Sequence, residues 1–71
     1  MKELSIKEEF IKLDSALKYS GAIGTGGQAK MVIQDGKVKV NGEVCFERGK
    51  KLRRGYTFSF EGQEFIISND C

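Results

Sequence analysis

The feature that most constrains this chain is a single change of hydrophobic period, which falls at Gly36. Upstream, apolar residues recur at i, i+3, i+4, first as Leu13, Ala16 and Leu17, then as Ala29, Val32 and Ile33. That spacing is the stripe of an amphipathic helix. Downstream the period drops to two, in Val38-Lys39-Val40, in Tyr56-Thr57-Phe58-Ser59-Phe60, and again toward Phe65-Ile66-Ile67. Helices followed by alternating strands predict an α+β fold, with two short helices packed on a small, mostly antiparallel sheet.

Punctuation sharpens the boundaries. Thr25-Gly26-Gly27-Gln28 has the spacing of a capping box, with Thr25 as N-cap and Gln28 at the third helical position. Gly21 and Gly36 stand where the two helices should stop, the second as a left-handed cap after Asp35. Asn41-Gly42 is the strongest short hairpin signal, so Glu43-Val44-Cys45-Phe46 is expected to return against Lys37–Val40. Leu4 and Ile6 suggest a further short strand over residues 2–7. Phe46, Phe58, Phe60 and Phe65 fall on strand periodicity and are expected in the core. Tyr19 and Tyr56 are expected to finish that core with their hydroxyls at the surface, the alternative being that they stack on an unpaired base.

A length of 71 residues allows one domain, residues 1–71, with its core over about 4–68. A chain this size buries only about 60% of its unfolded surface, which leaves little volume for a deep substrate pocket. Histidine is absent, removing the commonest general base and the commonest metal ligand together. Cys45 and Cys71 lack any CxxC spacing, so a zinc site and a disulfide are not expected, and reduced thiols in a cytoplasm fit better. No stretch approaches the roughly 20 apolar residues of a membrane span. These features predict a cytoplasmic, non-enzymatic protein with no metal or cofactor.

Charge distribution is more telling than the net charge of +2. Residues 1–47 balance seven basic against seven acidic side chains. Residues 55–71 hold three acids and no base. Between them, Arg48-Gly49-Lys50-Lys51-Leu52-Arg53-Arg54 packs five cations with no acid. One short segment therefore carries the whole positive excess, the pattern of a polyanion-binding patch on an otherwise neutral domain.

Four blocks in order carry a resemblance: Leu13-x-x-x-Leu17-Lys18, Thr25-Gly26-Gly27-Gln28-Ala29-Lys30, Val38-x-Val40-Asn41-Gly42-Glu43-Val44, and Arg48-Gly49-Lys50-Lys51-Leu52 with Gly55 following. Together they resemble the S-four RNA-binding domain, or αL motif, of small-subunit ribosomal protein four, and most closely its small stand-alone bacterial members. The sequence departs from the family in having Gly55-Tyr56 where Gly-Asp usually opens the next strand.

The resemblance implies RNA contact by the exposed face of the helix pair and by the basic segment. The expected RNA-binding residues are Lys18, Thr25, Gly26, Gly27, Gln28, Lys30, Arg48, Lys50, Lys51, Arg53 and Arg54. Lys and Arg supply sequence-independent affinity by displacing counterions from phosphates. A glycine-rich helix N-terminus offers free N–H groups and close backbone approach. Lys37 and Lys39 could extend the basic surface along the hairpin. The expected partner is structured RNA, ribosomal or transfer RNA, with the ribosome as its setting and the protein monomeric. The alternative is a protein–protein adaptor whose basic loop docks on an acidic partner.

Overall fold

The computed structural model describes residues 1–69; the expectation for Cys71 lies outside them. Along the chain the elements are β1 (Lys2–Ile6), β2 (Phe10–Lys12), α1 (Leu13–Tyr19), α2 (Gly26–Gln34), β3 (Val38–Val40), β4 (Glu43–Val44), β5 (Lys51–Arg53), β6 (Thr57–Phe60) and β7 (Gln63–Asn69). Five strands form one mixed sheet in the order β1-β7-β6-β3-β4. Its pairs are antiparallel except the edge pair β1–β7, which is parallel. Strands β2 and β5 form a separate antiparallel ribbon.

Helix α2 and the hairpins form for local reasons. The Thr25 hydroxyl accepts from the Gln28 N–H at 3.2 Å, the N-cap that starts α2. Asp35 closes that helix, and Gly36 follows at φ +74. The turns at Asn41-Gly42 and Glu61-Gly62 have positive φ at both residues, the geometry that matches strand twist in two-residue hairpins. Asn41 also accepts from the Thr57 N–H through its side-chain oxygen at 2.9 Å, tying the hairpin to the start of β6.

Apolar residues from every layer meet in one cluster. Leu13, Ala16 and Leu17 come from α1, Ala29, Val32 and Ile33 from α2, and Ile23 from their link. The sheet adds Leu4, Ile6, Val38, Val40, Phe58, Phe60, Phe65 and Ile67, and the ribbon adds Leu52. Phe58 and Phe65 face each other across β6–β7 and stack with ring centroids 4.8 Å apart.

Two aromatic expectations fail. Phe46 is 64% exposed, because β4 ends at Val44 and the hairpin register sends its ring outward. Tyr19 is equally exposed at the last position of α1, off the stripe that Leu13, Ala16 and Leu17 bury. Tyr56, by contrast, is half-buried and packs on the core.

Candidate nucleic-acid interface

The basic segment is more ordered than a loop. It consists of a turn in which the Lys50 N–H donates to Glu47 O at 3.2 Å, then strand β5, then a second turn. In that second turn the Tyr56 N–H donates to Arg53 O at 2.9 Å, and Gly55 takes φ +91. A side chain at Gly55 would be strained there, so the glycine is a turn requirement.

Strand alternation sorts the side chains. Leu52 points into the core with no exposed surface, while Lys51 and Arg53 stand on the outer face. Arg48 and Arg54, at the flanking turns, are exposed, and Lys50 is half-buried. Leu52 is therefore the anchor that holds two cations outward.

The segment is also bolted to α1. Leu13 N–H donates to Lys50 O at 2.9 Å, and Asp14 N–H to Arg48 O at 3.1 Å. Asp14 itself accepts from the Ser15 N–H at 2.7 Å. Three of the N–H groups left over at the start of α1 are thus used inside the protein.

The second group of expected residues follows the other end of the seven-residue α1, a helix about 10 Å long. Lys18 is exposed in its last turn. Thr25, Gly26, Gly27, Gln28 and Lys30 are all exposed at the start of α2. A Cβ added at Gly26 or Gly27 would meet nothing within 4 Å, so this backbone is open on its outer side. The chain thus presents two clusters, five cations on and around β5 and a polar helix start beyond the C-terminal end of α1.

Lys37 and Lys39 do not make a purely basic surface along the hairpin. They share a shallow hollow of the sheet's outer face with Glu61 and Glu64, so the charge there is mixed. What the sequence reasoning missed is β2. Its residues pair as Phe10 with Arg53, Ile11 with Leu52 and Lys12 with Lys51. The available signal was the alternation of Ile11 with charged and aromatic neighbours, too short to read alone.

Among the described residues, no group of three or more His, Cys, Asp or Glu side chains is placed to hold a metal ion. Among the same residues, no helix is long and apolar enough to cross a membrane.

A helix pair over a mixed sheet, with a basic ribbon fastened to the first helix, defines a small α+β module of the αL type. The S4 domain model matches residues 4–68, and the chain belongs to that family. It is 39% identical over 61 residues to the "Putative RNA-binding protein YbcJ" of Escherichia coli (strain K12), covering 86% of this chain and 87% of that one. It is also 39% identical over 59 residues to the "Probable ribosome maturation protein RlbA" of Bacillus subtilis (strain 168), covering 83% of each. Among solved structures, the solution structure of E. coli YbcJ superposes with a TM-score of 0.73 at 35% identity, over 96% of this chain and 87% of that one. YbcJ is described there as containing an αL motif involved in RNA binding.

Proposed function

We propose that this protein is a non-catalytic RNA-binding protein of the cytoplasm that grips structured RNA, ribosomal or transfer RNA, in translation or ribosome assembly. The observation that carries the reading is the set of five cations on β5 and its two turns, with Lys51 and Arg53 held outward by the buried Leu52 and the segment fixed by backbone bonds to α1. Phosphates are the matching ligand, since Lys and Arg gain affinity by releasing condensed counterions without reading a base sequence. Double-stranded RNA is recognised largely by shape and backbone geometry, which suits a rigid basic ribbon. The RNA-binding descriptions of YbcJ and the ribosome maturation description of RlbA point the same way. Lys18, Thr25, Gly26, Gly27, Gln28 and Lys30 form the second contact, at the open start of α2.

Crosslinking of the protein to RNA in cells, followed by sequencing, tests this directly. The control is Arg53→Glu/Arg54→Glu, which reverses two exposed charges. Enrichment at a defined ribosomal or transfer RNA site, lost in the double variant, is the expected result. In vitro, log Kobs should fall against log salt with a slope on the order of −3, from about 0.7–0.9 per neutralised phosphate over three or four contacts. Equal recovery of wild type and variant, together with a partner that survives RNase, would replace this reading with that of a protein adaptor.

A further inference from the structure

The ribbon β2–β5 opposes two lysines. Lys12 lies directly across from Lys51, and both are exposed. The bond from Leu13 N–H to Lys50 O fixes the phase of the ladder. Antiparallel pairs alternate between hydrogen-bonded and non-hydrogen-bonded, so with Leu13–Lys50 bonded, Lys12–Lys51 is a non-bonded pair. In such pairs the Cβ atoms stand about 4.5–5.5 Å apart and side chains are closest. Like charges so placed destabilise a ribbon that is already only three residues per strand.

The next pair on the same face explains how the cations are kept there. Phe10 lies across from Arg53, and its half-buried ring has the Lys51 ammonium 4.9 Å from its centroid and the Arg53 guanidinium 5.8 Å away. Both distances are within cation–π range. The ring therefore holds two flexible cations over the outer face of the ribbon, the Lys51 ammonium one pair along from Lys12. Glu9 shares a shallow hollow with Arg53, Arg54 and Asn69, at the opposite end of the ribbon from the lysine pair.

We infer that Lys12 and Lys51 form a two-pronged clamp for one RNA backbone phosphate, and that Phe10 is the positioning residue that keeps its cations aligned. The inference rests on the RNA-binding reading and adds to it a residue outside the basic segment. An anion between the two ammonium groups turns their repulsion into shared attraction, so the ribbon gives up stability when free and recovers it when bound. Phe10 touches no phosphate; it limits the rotamers that Lys51 and Arg53 would otherwise lose on binding.

The experiment compares wild type with Lys12→Gln, Lys12→Arg and Arg53→Glu/Arg54→Glu, by thermal melting and by titration with a fluorescein-labelled RNA stem-loop at several salt concentrations. Lys12→Gln should melt about 1–5 °C higher, because the cross-strand repulsion is gone. The same variant should bind the stem-loop more weakly, with a salt slope shallower by at most about 0.7–0.9, one phosphate's worth, since Lys51 still faces that phosphate. Lys12→Arg keeps the charge and should retain the wild-type slope. Phe10→Leu keeps all cations, so its affinity should drop about 2–5-fold with the slope unchanged, and Phe10→Trp should restore it. If Lys12→Gln keeps the wild-type affinity and slope while Arg53→Glu/Arg54→Glu loses binding, the clamp is wrong and the RNA-binding reading stands. If wild type does not bind the stem-loop even at low salt, both are wrong.

Discussion

Gly36 shows how much one backbone position settles in a chain this small. Its φ of +74 turns the chain out of α2 toward β3. A Cβ built there would lie 3.3 Å from Phe46 Cε1 and 3.5 Å from Val44 Cγ1. The exposed Phe46 ring is thus seated on the glycine, a partial cover for an apolar group the core does not take. Gly36→Ala should cost about 1–2 kcal/mol, mostly the left-handed backbone, because an exposed ring can shift to admit a methyl group. A lowered urea midpoint with an unchanged m-value would confirm it, and Gly36→Asn should cost less, since Asn tolerates this region. The exposure of Phe46 follows from the hairpin register. A two-residue turn at Asn41-Gly42 pairs Val40 with Glu43 and Lys39 with Val44. The same register sets Cys45 opposite Val38, where the Cys45 N–H donates to Val38 O at 3.1 Å. Cys45 therefore faces inward with the valines, and Val44 and Phe46 share the outer face of the lysines. The turn chemistry is legible in the sequence, and parity counted outward from it puts Phe46 on that outer face.

At the scale of elements, those with their own start and stop signals were readable, and those that exist only through a partner were not. Helix α2 has a cap, an apolar stripe and a terminal glycine in the sequence, and it forms over Gly26–Gln34 as those signals imply. Strand β2 has three residues and no turn signal of its own, and it becomes a strand because β5 pairs with it. The strand in the basic segment is hidden for the same reason, since one buried Leu52 between cations gives no visible period. The parallel seating of β1 on β7 joins residues more than sixty positions apart, a choice no local pattern encodes. The capping box offers a way to separate fold from binding at α2. Thr25→Ala should cost about 1 kcal/mol by losing the bond to the Gln28 N–H. Thr25→Asp caps equally well and favours the positive helix end, so its melting temperature should match or exceed wild type. If a phosphate does approach this turn, the added carboxylate should weaken RNA binding on the order of fivefold, from about 1 kcal/mol between unit charges 4 Å apart in water. Undiminished binding by a stable Thr25→Asp would remove Thr25, Gly26 and Gly27 from the interface.

The whole molecule divides its aromatic residues between holding the fold and shaping the surface, and that division predicts opposite responses to the same change. At 0.05–0.15 kcal/mol per residue, a chain of 71 residues has about 4–10 kcal/mol of stability to lose. Phe58 is 1% exposed, stacks on Phe65, and belongs to the central strand between β3 and β7. Removing such a ring costs about 3–5 kcal/mol, through lost transfer energy and the cavity left behind. Phe58→Ala should therefore leave much of the population unfolded at 37 °C. Phe46→Ala, at 64% exposure, should cost no more than about 1 kcal/mol and keep a cooperative transition. Circular dichroism melts of the two variants side by side check this, and similar losses in both would mean that Phe46 closes the core over Gly36. The contrast bears on function because the ribbon has no core of its own. It is anchored through Leu52 to the cluster that Phe58 centres and through backbone bonds to α1. A destabilised core should then loosen the cation array before global unfolding, so in Phe58→Leu, milder than the alanine change, RNA affinity should fall at temperatures where the helices still give their full circular dichroism signal. Loss of binding only in step with loss of helix would mean that ribbon and core open as one cooperative unit.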